Sequence, residues 1–386
     1  MKKLLHSFII VAAALINFDI MSKYIFSALQ LVVGSVLLWS CSDRTLNIDS
    51  VNIPLQSTDT AMTTFNDYFD ISMCLPLEDT NECHISFARR IECFEENYYV
   101  FSSNGNVGLF VFGRDGKFIR KIGEKGHASG EYTNILDFTI DRKNRRLLLL
   151  CNRPSLVKVY TLDGTFLEEK VLGNVSLSDI ACVNGLILCP TNHQGFTRNE
   201  SDSLFYIFDK DFKLVKKHTF ISDNSIGTTS FIPANIKAYG DKFVFSDFHE
   251  HRTFLLDNHG DVEKCFQYED DKLISLDNQK SIKSVMDNQL KSSFILSSSI
   301  LNDKCITFYK SGKSINLSIN KPDGARIVNN AIRSFPYFLG YDGSLAISAV
   351  TQGELKDLNV KSEYDNADSH GFYIIKYKLK EKYANQ

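Results

Sequence analysis

The sequence is short of the residues that define several repeat and cofactor classes. A single Trp and seven Pro among 386 residues exclude any repeat built on a tryptophan or proline signature. Its nine cysteines include no C-x-x-C pair, which removes the usual redox and zinc-finger spacings. H-E-x-x-H, G-x-S-x-G, a phosphate loop and a dinucleotide fingerprint are all absent. Gly123-x-x-Gly126 followed by Gly130 has the look of a glycine loop, but no helix follows to offer its N-terminus to phosphate. Charge of one sign is also lacking: the net value of −3 leaves no basic footprint, so nucleic acid is not an expected partner.

Aromatic residues are plentiful, with 29 Phe and 16 Tyr, and they favour strands. Leu109-Phe110-Val111-Phe112-Gly113-Arg114-Asp115-Gly116-Lys117-Phe118-Ile119 reads as strand, Asp-Gly turn, strand. The pattern returns at Asp163-Gly164 and, degraded, at Asp211-Phe212 and His259-Gly260, with a spacing of 48 each time. Phe112, Tyr160, Phe208 and Leu256 hold the same large apolar place three residues before each turn. A period in the forties, carried by hairpins with no helical pattern between them, predicts four-stranded propeller blades. Asp323-Gly324 lies 64 beyond His259, so one blade carries an insertion; Ile282, Val285, Met286 and Leu290 within it have helical spacing.

The last segment supplies only three strands, the final one near Phe372–Tyr377, preceded by a polar loop from Thr351 to His370. The chain between Phe69 and Leu77 has one strand left over. Pairing the two closes the ring and removes its free edges. The expected fold is therefore all-β, a six-bladed propeller over residues 65–380 with an N-terminal strand completing the last blade.

Residues 1–40 hold two apolar runs, the second ending Leu38-Trp39-Ser40-Cys41, and read as a lipoprotein signal with Met21 as a second possible start. Cys41 is the expected lipidation site, and residues 41–64, polar and rich in Ser, Thr, Asp and Asn, read as a tether. A plain transmembrane anchor is the competing reading of the same run. The other cysteines lie in or beside apolar runs and are expected to be free and buried.

The hairpin followed by Ile122-Gly123-Glu124-Lys125-Gly126-His127-Ala128-Ser129-Gly130-Glu131-Tyr132 resembles the six-bladed β-propeller lipoproteins of Bacteroidetes, relatives of the NHL and TolB-like propellers. Members usually show Gly-Pro-Gly-Glu-Tyr where this chain has Ala128-Ser129-Gly130-Glu131-Tyr132. The resemblance implies the fold and a lipid-anchored envelope location, with the outer membrane the expected one, but no activity.

Candidate ligand-binding residues come from loops between the second and third strands and from blade-to-blade connections, which emerge on one face. They are His127, Glu131, Arg153, His249 and Arg252. His249-Glu250-His251 could also ligate a divalent metal, but no third ligand is visible. Arg89 and Arg90 are consecutive on blade one's inner strand, so they face opposite ways. Asp137 and Asp179 are the acidic inner-strand candidates. The favoured function is a module binding an envelope protein, peptide or glycan without a cofactor. The alternative is a metal-dependent lyase or lactonase-type enzyme with its site in the channel.

Overall fold

The computed structural model describes residues 44–45, 50–56, 59–151, 155–173, 175–191, 203–219, 235–248, 251–273, 291–360 and 371–386. Thr45–Gln386 forms one compact unit. Six sheets of at least four strands follow one another in chain order, with inner strands Ala88–Phe94, Ile135–Asp141, Ala181–Val183, Ile236–Tyr239, Ser293–Leu301 and Gly340–Asp342. These are the six blades of a β-propeller.

The Asp-Gly turns recur because of a local backbone requirement. The third strands of blades one to five each carry a register shift at the end, at Phe112, Tyr160, Phe208, Leu256 and Asn320. Such a bulge ends in a left-handed residue, where glycine has no Cβ penalty. Gly116, Gly164, Gly260 and Gly324 fill that place with φ between +74° and +92°, and blade three puts Phe212 there at +62°. The acid ahead of it accepts a hydrogen bond from the backbone after the turn, as Asp115 does from Lys117 N–H at 3.1 Å.

The turns of blades one, two and four also rest on the outer strand of the blade before them. Arg120 of blade one donates to the Asp163 carbonyl at 2.8 Å, and His218 of blade three lies 3.1 Å from the Gly260 carbonyl. At the seam between blades six and one, Glu78 N–H donates to the Gly116 carbonyl at 2.9 Å.

The ring closes as expected. Phe69–Pro76 runs antiparallel to Tyr373–Leu379 and completes blade six, with Tyr373 opposite Pro76 and Leu379 opposite Phe69. Phe65, Phe69, Phe308, Phe338 and Tyr377 pack together there, with Phe65 and Phe69 stacked at 4.4 Å.

Two expectations are corrected. The segment read as a tether over 41–64 is in its latter half part of the propeller: Ser50–Pro54 pairs parallel with Val262–Glu269 of blade four, and Asp59–Thr63 pairs parallel with Arg326–Ile332 of blade five. Ile53 and Leu55 are fully buried against Phe266, Tyr268 and Tyr309, which offsets the entropy of fixing a polar stretch. Thr351, placed at the start of a polar loop, instead caps the helix Gln352–Asp357. Glu354 returns a bond to Thr351 N–H at 2.7 Å, and Leu355 and Leu358 are buried beneath. The helical spacing over Ile282–Leu290 falls outside the described residues.

All eight described cysteines, Cys74 to Cys305, are free, and six of them are buried. Burial pushes the Cys93 and Cys151 thiols up to about 12, so they stay protonated at neutral pH.

Candidate functional site

Among the described residues the inner strands approach closely, and the side chains of Arg90, Asp137, Asp179 and Lys237 on or beside them are buried. Blades six and one touch backbone to backbone: Ile91 N–H donates to the Leu339 carbonyl at 3.2 Å, and a Cβ on Gly340 would stand 1.9 Å from the Ile91 carbonyl oxygen. Strand direction places Arg89, Arg90, Asp137, Asp179 and Lys237 toward the end where the inner strands begin. Tyr239 and Tyr341 lie toward the other end.

At the first end, blade one reaches across the ring. Arg90 grips Asp137 of blade two with both prongs, at 2.8 and 2.5 Å, and donates to the Ile236 carbonyl of blade four at 2.6 Å. Asp137 also accepts from Ile180 N–H of blade three at 3.0 Å. Arg89 extends to Asp179 of blade three at 2.7 Å, with its own side chain 20% exposed and that of Asp179 fully buried. Four blades are therefore joined through two arginines.

Electrostatics follow the geometry. Burial works against the Arg90 charge, but Asp137, then Glu92 and Asp179, hold it above its usual value. Burial, with the neighbouring Asp179 charge, pushes the Asp137 carboxyl above its ordinary value against the pull of the two-pronged Arg90 guanidinium. Burial also opposes ionisation of Asp179, but the Arg89 charge prevails and its carboxyl sits below the ordinary range. Lys237, buried beside the cationic Arg90, is lowered to about 7.

At the opposite end Tyr239 of blade four meets Tyr341 of blade six, ring centroids 4.7 Å apart. The Tyr341 hydroxyl donates to the Ile300 carbonyl at 3.0 Å, and Tyr239 accepts from Asn302 N–H at 3.3 Å. On this face a cleft of about 460 Å³ opens between blades one and six, lined by Phe94, Glu95, Glu96, Arg142, Asp342 and Lys376, among others. Four of its charges pair internally, Lys376 with Asp342 at 2.6 Å and Arg114 with Glu96 at 3.2 Å, while Arg142 lies 3.8 Å from Glu92 and Glu95 pairs with Arg145. Glu95 and Glu96 form the tight turn at its edge, both at positive φ.

Of the five residues expected to form a binding face, three are described. His127 is exposed, in the connection whose Gly130 packs on Phe166 and whose Gly130 carbonyl accepts from Tyr160 at 2.7 Å. That places it at the rim beside blade two's outer strand and away from the axis. Glu131 turns back to accept from Ala128 N–H at 2.9 Å and so shapes its own loop. Arg252, half-buried on blade four, donates to Gln267 of the neighbouring strand. His127 and Glu131 share one loop, and Arg252 lies two blades further on. Arg153 and His249 fall outside the described residues.

Arg89, Arg90, Asp137 and Asp179 stood out in the sequence one by one. Their meeting did not, because partners lie 47 and 90 residues apart. Lys237 was missed: one lysine in an apolar strand carries no pattern. Chemically, each channel acid is committed to a guanidinium. Among the described residues no three His, Cys, Asp or Glu side chains meet in a set that would hold a metal ion.

A family described as a domain of unknown function, DUF4934, matches residues 49–370. No curated protein matches the chain. Among solved structures, a Bacteroides fragilis protein described as exported is similar with a TM-score of 0.68 at 17% identity, covering 86% of this chain and 100% of that one. A member of the DUF4221 family from Bacteroides vulgatus has a TM-score of 0.55 at 10% identity, covering 81% and 98%. At such identities the likeness shows the fold alone.

Proposed function

The chain belongs to the DUF4934 family, and from that premise we propose that it is an envelope-anchored lipoprotein whose propeller is a binding or scaffold module. The observation that carries this reading is the set of contacts that bridge the inner strands. A propeller that works as an enzyme through its channel needs room for substrate beside unpaired acids or imidazoles. Here guanidinium–carboxylate pairs span four blades at one end and a tyrosine pair spans two at the other. What such a rigid ring offers is its loops and faces.

The binding face in this reading is the one bearing the connections between blades and the loops between second and third strands, with His127, Glu131, Arg153, His249 and Arg252 as its candidate residues. Its ligand is an envelope protein, a peptide or a glycan. Anchoring rests on Cys41 after Leu38-Trp39-Ser40, and export agrees with the description of the Bacteroides fragilis structure. The membrane in question is the outer one. Labelling cells with a fatty-acid analogue is expected to mark the wild type and not Cys41→Ser; label retained in the mutant would refute the anchor. For the face, Arg153→Ala, His249→Ala and Arg252→Ala are combined. Unchanged melting with loss of captured envelope partners supports the assignment, and unchanged capture overturns it.

The second reading, a metal-dependent lyase or lactonase working in the channel, has in its favour only the His249-Glu250-His251 triplet. Metal analysis of the purified protein tests it: stoichiometric bound metal that His249→Ala abolishes would favour it over the binding module.

A further inference from the structure

Exposed large apolar side chains stand at several places on the rim: Ile119 on blade one, Leu167 and Val171 on blade two, Leu214 and Val215 on blade three, and Met62 on the strand added to blade five. Exposure alone therefore selects no surface. The path of the chain does. Its first strands travel round the rim in blade order. Arg44–Thr45 joins the outer strand Leu214–Thr219 of blade three, and Ser50–Pro54 joins that of blade four. Asp59–Thr63 follows on blade five, and Phe69–Pro76 completes blade six. The folded unit thus begins at Thr45, on the outer edge of blade three.

We propose that the outer edge of blade three, around Leu214 and Val215, rests on the lipid bilayer and stands the ring on edge. This orientation depends on a lipidated Cys41, the anchor inferred for the binding module. Acyl chains on Cys41 lie in the hydrocarbon, which keeps its backbone at headgroup level. Thr45 is the fourth residue after Cys41, and four extended residues span at most about 14 Å. A leash of that length keeps blade three's edge beside the bilayer surface. An unpaired tether running as far as residue 64 would allow about 80 Å and impose no orientation.

The local chemistry suits a phospholipid interface. Leu214 and Val215 are 44% and 47% exposed. Successive residues of a strand point to opposite faces, so the pair flanks the edge on both sides. Lys213 beside them is exposed, and Lys216 and Lys217 are half-buried. Lysines next to an apolar pair lay their stems along it and carry their ammonium groups to the level of the phosphates. The nearby acids are engaged within the fold. Asp261 holds Lys216 at 2.7 Å, Asp211 pairs with Lys210 at 2.8 Å, and Asp209 accepts from the Asp211 and Lys213 N–H groups at 2.9 Å. Two apolar side chains bind a bilayer weakly by themselves; the anchor supplies the affinity and the edge sets the orientation. A ring standing on edge leaves the proposed loop face unobstructed.

Trp39 is the single tryptophan of the chain and departs with the signal, so one introduced tryptophan is a unique probe in the mature lipoprotein. The lipidated protein, purified in detergent, is reconstituted on vesicles of phosphatidylethanolamine and phosphatidylglycerol with brominated acyl chains. Val215→Trp and, as a second variant, Leu214→Trp are compared with Ile119→Trp and Met62→Trp, which lie two blades away on either side. The expected result is blue-shifted, quenched emission from both blade-three variants and unquenched emission from the other two, at unchanged melting temperatures. Vesicle-bound protein with no quenching at either blade-three position, or with equal quenching at all four, overturns the proposal and leaves the anchor standing. Protein that fails to float with the vesicles refutes the anchor, and this orientation with it.

Discussion

Gly116→Ala tests whether the Asp-Gly turns hold the blades together or merely reverse the chain. Gly116 lies at φ +79°, and a Cβ there would fall 2.0 Å from the Pro76 carbonyl oxygen on the closing strand. The left-handed backbone alone costs an L-residue about 1–2 kcal/mol. The clash is with backbone, so the turn must lift off. That breaks the bond from Glu78 N–H to the Gly116 carbonyl and the one from Phe118 N–H to the Glu78 carboxylate, both 2.9 Å. At about 1 kcal/mol each, the total reaches about 3–4 kcal/mol. Gly312→Ala is the control: its φ is +60°, and nothing lies within 4 Å of the added carbon, so only the backbone cost remains. With about 2 °C per kcal/mol for a large domain, calorimetry should find Tm lowered by about 6–8 °C at Gly116 and about 2–4 °C at Gly312. Equal shifts would refute the idea that this turn is a joint between blades six and one.

Three further outcomes are expected. Asp137→Asn leaves Arg90 buried without its counter-charge and should lose about 3–5 kcal/mol in denaturant unfolding, while Arg90→Met with Asp137→Leu loses much less. Lys237, lowered to about 7, binds its proton less readily folded than unfolded, so stability rises with pH between about 7 and the ordinary lysine value. Lys237→Met should flatten that rise in melting curves recorded from pH 6 to 10; an unchanged slope would reject the assignment. Ile53→Ala should cost about 2–4 kcal/mol by urea titration if the rim segment belongs to the folded unit, and nothing if it is a tether.

The propeller was legible because its turns obey a backbone rule. A left-handed bulge residue asks for glycine, and four of five turns supply it; even Phe212 kept the spacing, its ring lying under the Arg146 guanidinium at 5.4 Å. The closing strand was legible because a ring needs a partner for its last edge. The rim strands were not, since three alternating apolar residues within a polar stretch look like tether until blade four is there to cover them. The channel cluster stayed hidden for a related reason. Pairs such as Arg89–Asp179 are set by the ring's diameter, and no local period records a diameter. The helix at Gln352–Asp357 left a signal in Thr351-x-x-Glu354, but six residues inside a long polar stretch do not stand out.

The rim segment has a mechanical consequence. A pull on the chain ahead of Thr45 meets its pairing with blade three's outer strand first, then blade four's edge, then blade five's, and only afterwards the strand Phe69–Pro76 that shuts the ring. Two successive sets of parallel backbone contacts thus act as a strain relief, much as a clamp keeps tension on a cable away from its soldered joint. If membrane attachment loads this end of the molecule, the seam between blades six and one stays slack until both clamps have slipped.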